Sequence, residues 1–253
     1  MGKGATGLVE QCRTVGKIWV SLTDRQRRQP GYVLHRRAYR ETSYLADILS
    51  PEFGRLAGVF RGARKKQGGS LEPFIRYGLA WHGKGQMGTV TSYDIEIELS
   101  LLDRYLYGGL YLNELIVRAL PVEVSAPPLF HAYNNAITGL ARRDTLEPVL
   151  RTFERTLLRE SGYDLLFNYD YTTGDVIAPD RYYRFVPNVG FESIQKTSDA
   201  LSGRVLLAIA DDDYAKAETR RVAKHVLRSA LKPLVGDRPL ASRQFFRGSN
   251  HAV

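Results

Sequence analysis

Tyr44-Leu45-Ala46-Asp47-Ile48-Leu49, then Ser50-Pro51-Glu52-Phe53-Gly54, then Arg55-Leu56-Ala57-Gly58-Val59-Phe60 is the stretch that decides the fold. Two short apolar runs joined by a turn bearing proline and glycine read as adjacent strands. Outward from them, Tyr32-Val33-Leu34 precedes, and Phe74 to Trp81 and Gly88 to Tyr93 follow, separated by Gly62 and by His82-Gly83-Lys84-Gly85. Five such strands in so short a span predict a five-stranded OB barrel over residues 32–97. After Glu98 the apolar period becomes helical: Leu102, Tyr105, Leu106, Leu112, Leu115, Ile116 and Leu120 share a face before Pro121. Further helices are expected from Pro127-Pro128 to Gly139, from Thr145 to Ser161, and from Tyr214 to Leu231 ahead of Pro233. Tyr163 to Phe191 is turn-rich and aromatic, and loops with at most a hairpin are expected there. The fold class is α+β: an N-terminal five-stranded OB-fold barrel, then a mainly α-helical domain over 98–247 with a loop-rich insert at 163–191. Residues 1–31 are expected to be a poorly ordered extension and 248–253 a tail.

The 253 residues carry a formal net charge of +9 at pH 7, distributed unevenly. Residues 1–31 hold +4, 32–92 hold +6, 93–213 hold −8 and 214–253 hold +7. Basic ends around an acidic middle point to a polyanionic partner for the N-terminal part, and for the C-terminal part as a second candidate. On charge alone, a DNA-binding protein and a ribosome-associated one fit equally. A single cysteine, Cys12, excludes an internal disulfide and any zinc site built on paired cysteines, and suits a reducing compartment. The richest apolar run, Leu110 to Leu120, is broken by Asn113, Glu114 and Arg118, so no membrane span is expected. A cytoplasmic, nucleoid-associated protein is the expectation.

Chemistry concentrates in the loop after Phe60, where Arg61, Arg64, Lys65 and Lys66 stand between glycines. Flexible cations beside a close-approaching backbone can follow the phosphates of a polynucleotide. Arg36, Arg37 and Arg40 flank the first strand and Arg55 follows a turn, with Tyr39 and Tyr44 among the aromatics between them. Most barrel aromatics are assigned to the core. The cluster Gly83, Gly85, Gly88 lacks dinucleotide and P-loop spacing and reads as a hairpin turn. Asp211-Asp212-Asp213 has no EF-hand spacing and reads as the cap of the last helix. The five histidines are scattered, with neither an HExxH pair nor a GxSxG elbow. No catalytic site is found, and a non-enzymatic protein is expected.

Tyr32-Val33-Leu34-His35-Arg36-Arg37-Ala38-Tyr39-Arg40-Glu41-Thr42-Ser43, then Gly54-Arg55, Arg61-Gly62-Ala63-Arg64 and Leu71-Glu72-Pro73-Phe74, resembles the bacterial RecO family. Gly109-Leu110-Tyr111-Leu112-Asn113-Glu114-Leu115, Leu150-Arg151-Thr152-Phe153-Glu154 through Gly162-Tyr163, Leu231-Lys232-Pro233-Leu234 and Ser242-Arg243 extend the likeness to about Arg247. The resemblance implies binding of single- and double-stranded DNA and annealing of complementary strands without ATP hydrolysis. It implies RecR as partner, and RecA indirectly, loaded onto DNA coated by single-stranded-DNA-binding protein. Contact with that protein's acidic, aromatic-ended C-terminal tail would need an apolar pocket rimmed by cations, for which Arg151, Arg155, Leu157 and Leu158 are candidates. Members with a zinc module carry two cysteine pairs in the region matching Tyr163 to Phe191; none is present, so no cofactor is expected and Tyr169, Tyr171, Tyr182, Tyr183 and Phe185 would pack there instead. The alternative is an RNA-binding OB protein associated with translation or the ribosome.

Overall fold

In the computed structural model, which describes residues 28–65, 71–83 and 87–248, the alternating apolar runs become β1 (Gln29–Tyr39), β2 (Ser43–Ser50), β3 (Gly54–Phe60), β4 (Arg76–His82) and β5 (Met87–Ile97). They close into a barrel in the order β1-β2-β3-β5-β4, with β3 and β5 parallel. Closure depends on the length of β1: Gln29 to Tyr32 pairs with β4, while the remainder pairs with β2 past an irregularity between Val33 and His35. Ala46, Ile48, Leu56, Phe60, Tyr77, Leu79 and Trp81 fill the interior. The first strand starts at Gln29, so residues 28–31, expected in the extension, belong to the barrel and its approach. Residues 1–27 of that extension and 249–253 of the tail lie outside the described residues.

The helical part comprises α1 (Asp103–Ala119), α2 (Pro127–Ala141), α3 (Leu146–Glu160), α4 (Gly203–Ala210), α5 (Ala217–Val235) and the short α6 (Arg243–Gly248). Helix α3 buries Leu150, Phe153, Leu157 and Leu158, and its end is set by Gly162 at φ +80, a left-handed conformation natural to glycine. α5 runs two residues past Pro233 and stops at Gly236, φ +74. The three aspartates do not cap it. Asp211 terminates α4, Asp212 accepts from Arg155, and Asp213 accepts the Ala215 N–H at 3.0 Å.

The insert is more ordered than its turn residues suggest. β6 (Tyr182–Val186), β7 (Gly190–Ile194) and β8 (Leu201–Ser202) form a sheet in the order β7-β6-β8, extending beyond residue 191. Tyr183 and Phe191 of the sheet are buried, as is Phe167, with Phe167 and Phe185 each against Phe191. The Tyr171 ring packs against Gly190, where a Cβ would come within 2.1 Å of it. Tyr169 and Tyr171 pack against each other but stay exposed.

Barrel and helices share one apolar cluster. Tyr32, Leu34, Leu49 and Phe74 of the barrel pack with Leu112, Leu115 and Ile116 of α1 and Phe130 and Tyr133 of α2. Gly54, φ +60, lets the β2–β3 turn sit so close to Val124 that a Cβ would stand 1.8 Å from its carbonyl oxygen. This docking fixes which end of the barrel remains open to a ligand.

Candidate nucleic-acid interface

The helical part covers the barrel at Tyr32, Leu34 and Leu49, leaving the opposite ends of β1, β2 and β3 free. From Leu34 to Tyr39 is five residues of strand, or about 17 Å. There the β1–β2 turn meets the loop after β3. The Arg64 N–H donates to the Thr42 carbonyl at 3.0 Å, and its guanidinium donates to the carbonyls of Arg40 and Glu41 at 3.0 and 3.1 Å. Gly62, φ +71, turns the chain so that the Lys65 N–H reaches the Gly62 carbonyl. Arg40, itself at φ +53, sets its guanidinium 5.3 Å from the Tyr39 ring centre.

The result is an open recess of about 760 Å³ lined by Tyr39, Arg40, Glu41, Thr42, Ser43, Val59, Arg61, Met87 and Thr89. Arg37, Arg40, Arg61, Arg64 and Lys65 are exposed at or beside it, and Glu41 is the one acid in its lining. Such a recess can take phosphates along its cationic rim and apolar ring or methyl edges on Tyr39, Val59 and Met87. Met87 and Thr89 carried no signal in the sequence; β5 brings them in through its parallel pairing with β3.

Not every predicted cation belongs here. Arg55 donates to the Leu120 carbonyl at 2.9 Å and pairs with Asp47 at 3.1 Å, so it ties β3 to the end of α1 and faces the domain junction. Arg36 pairs with Glu72 at 2.7 Å and stacks over Tyr44, leaving its side chain a quarter exposed. Arg64 braces the turn more than it reaches outward. Lys66 lies outside the described residues. Tyr32, Phe53, Phe60, Phe74, Tyr77 and Trp81 are buried, as assigned, whereas Tyr39 and Tyr44 are reachable.

The tail-binding candidates separate into two places. Arg151 is buried with Glu154 at 2.9 Å, and Leu157 is fully buried, so neither rims a surface pocket. α3 presents Arg151 inward because Leu150, Phe153 and Glu154 share that face. Arg155 and Leu158, by contrast, line a recess of about 380 Å³ with Arg159, Leu165, Phe167 and Leu207, and with the acids Asp164 and Asp211. Arg155 is held there by the Ala210 carbonyl at 3.1 Å and Asp212 at 2.8 Å. Burial, and secondarily the charge of Asp212, pushes the adjacent Tyr214 hydroxyl's pKa well up. Among the described residues, no helix is long and apolar enough to cross a membrane.

The chain matches the family model described as Recombination protein O N terminal over residues 25–97, and that described as Recombination protein O C terminal over residues 102–244. It is 42% identical over 231 residues to a DNA repair protein RecO of Cellvibrio japonicus, covering 88% of this chain and 98% of that one. The Vibrio vulnificus protein of that name is 43% identical over 220 residues, 85% of this chain and 90% of the relative. That of Stutzerimonas stutzeri is 40% identical over 220 residues, 86% and 92% of the two chains.

Proposed function

Because the chain belongs to the RecO family, we propose that it serves DNA repair and recombination as a non-enzymatic annealing protein whose barrel end grips the phosphates of single strands. The observation that carries this reading is the recess that Arg40, over Tyr39, shares with Arg61 and Met87, with Arg37 and Lys65 exposed nearby. Backbone contacts there leave base edges free to pair, so annealing follows from charge neutralisation and concentration of strands. Double-stranded DNA would bind by the same phosphate contacts. The apolar recess of Leu158, Leu165 and Phe167, where Arg155 and Arg159 stand beside Asp164 and Asp211, would take the aromatic end of the acidic tail of single-stranded-DNA-binding protein, with Arg159 meeting its carboxylates. RecR, and through it RecA, are the further partners of this reading.

The test is annealing of two complementary oligonucleotides, each coated with single-stranded-DNA-binding protein that is intact or lacks its tail, without ATP. Tail-dependent acceleration is expected; Arg61→Ala with Lys65→Ala should slow annealing on bare and coated DNA alike, and Arg159→Glu on coated DNA only. Equal rates with and without the protein on both substrates would overturn the reading.

A further inference from the structure

Helix α5 contains five Lys or Arg and a single Glu. Thr219, Val222, Ala223, Val226, Leu227 and Leu231 are its buried residues, and it packs against α1, α3 and α4. Arg221, His225, Arg228 and Lys232 are exposed. Their spacing of i, i+4, i+7 and i+11 places all four within about 60° of arc and about 16 Å of helix length. The neighbouring cations differ. Arg220 and Lys224 reach Glu147 of α3 at 3.3 and 4.0 Å, whereas no ion pair involves the four among the described residues. A helix face whose task is solvation intersperses acids at i, i+4 positions to relieve its charge; this one does not. Behind it Arg243 adds to the positive potential, while Glu154 offsets Arg151, and Arg228's pKa is pressed down, first by burial of part of its side chain and then by Arg243.

We infer that the exposed face of α5 is a second polynucleotide-binding surface, taking the backbone phosphates of one strand while the barrel end holds another. The inference rests on the strand-holding function proposed above. α1 packs against β1 as well as against α5, and therefore stands between the two surfaces. Two strands bound on separate faces of one molecule do not compete for one set of cations, and each pre-positions the other for pairing.

Two non-complementary oligonucleotides, one carrying a fluorescence donor and one an acceptor, are mixed with the full chain; complementary pairing then contributes nothing to energy transfer. Wild type should bring donor and acceptor together. The variant Arg221→Ala/Arg228→Ala/Lys232→Ala, whose changes are all on exposed positions, should keep its melting temperature and first-strand affinity. It should lose energy transfer, with second-strand binding weakened at least about tenfold and its log-log salt slope reduced by about 2, since each phosphate left without its cation removes about 0.7. Transfer and slope unchanged in that variant would overturn the inference, as would equal loss of both strands, which would make the two surfaces one site. If instead Arg61→Ala/Lys65→Ala binds its first strand as tightly as wild type while the α5 variant fails, the barrel interface is wrong and this surface stands. A wild type that holds no strand overturns both.

Discussion

A guanidinium withdrawn from water needs a carboxylate, and Glu154 gives Arg151 one at 2.9 Å while also accepting the Tyr111 hydroxyl at 2.7 Å. The arginine and glutamate side chains are 4% and 0% exposed, so the pair is desolvated on both sides. Burial, reinforced by the Glu154 charge, drives the Tyr111 pKa far upward, which keeps that hydroxyl a donor. Removing one member of a buried pair leaves the other charge uncompensated, at a cost of about 3–5 kcal/mol. Glu154→Ala is therefore expected to lower the unfolding free energy by that amount in urea titration, and a loss below about 1 kcal/mol would contradict this account. Spacing on a helix told which residues lie near Arg151; it could not tell that Glu154, three residues on, takes its charge into the core.

At the scale of elements, α1 holds the C-terminal segment through Arg118, which donates to the Pro239 carbonyl at 3.0 Å, through Tyr107, stacked with Phe245, and through Glu114. Burial by itself would raise the Glu114 pKa, but the N–H and hydroxyl of Ser242, the N–H of Ala241 and the Arg118 guanidinium together hold it below the ordinary carboxylate range. A carboxyl with a lowered folded-state pKa stabilises above its unfolded value of about 4.3, and that stabilisation disappears as pH falls through the folded value. Amide exchange at residues 241–246 should therefore accelerate in acid ahead of α1 and α3, and Glu114→Gln should make it fast already at neutral pH; exchange in that segment no faster than in α1 at either pH would refute the strap. The legibility of elements followed from their length and period. β2, β3, α1 and α3 were readable because each repeats its apolar residues over at least two periods. β8 has two residues and no period to read, α4 is short and apolar nearly throughout, and β6 and β7 are flanked by Pro187, Asn188 and Gly190, which announce a turn louder than the strands announce themselves. The site was legible as a loop of cations, but which of them face outward depends on partners distant in sequence: Leu120 for Arg55, the turn carbonyls for Arg64 and Glu72 for Arg36.

For the molecule as a whole, the junction between barrel and helices behaves as core. Buried Asn113 of α1 donates to the Leu34 carbonyl of β1 at 2.8 Å and accepts the Tyr133 hydroxyl of α2 at 2.6 Å. Tyr32 crosses the same junction to Asn134 at 2.8 Å, and Arg55 crosses it again to Leu120. With these bonds set inside an apolar cluster common to both parts, opening the junction exposes the inner faces of β1, α1 and α2 together. Unfolding is accordingly expected in one cooperative transition. In a Trp19→Phe background, the fluorescence of Trp81, buried in the barrel, and the far-UV ellipticity of the helices should give coincident denaturation curves. Asn113→Ala strands the Leu34 carbonyl and the Tyr133 hydroxyl, so it should shift both curves together by about 1–3 kcal/mol. Curves that separate, with the barrel outlasting the helices, would show two independent units; coincidence means that the cationic barrel end and the α5 face belong to one cooperative folding unit, so neither surface persists without the other.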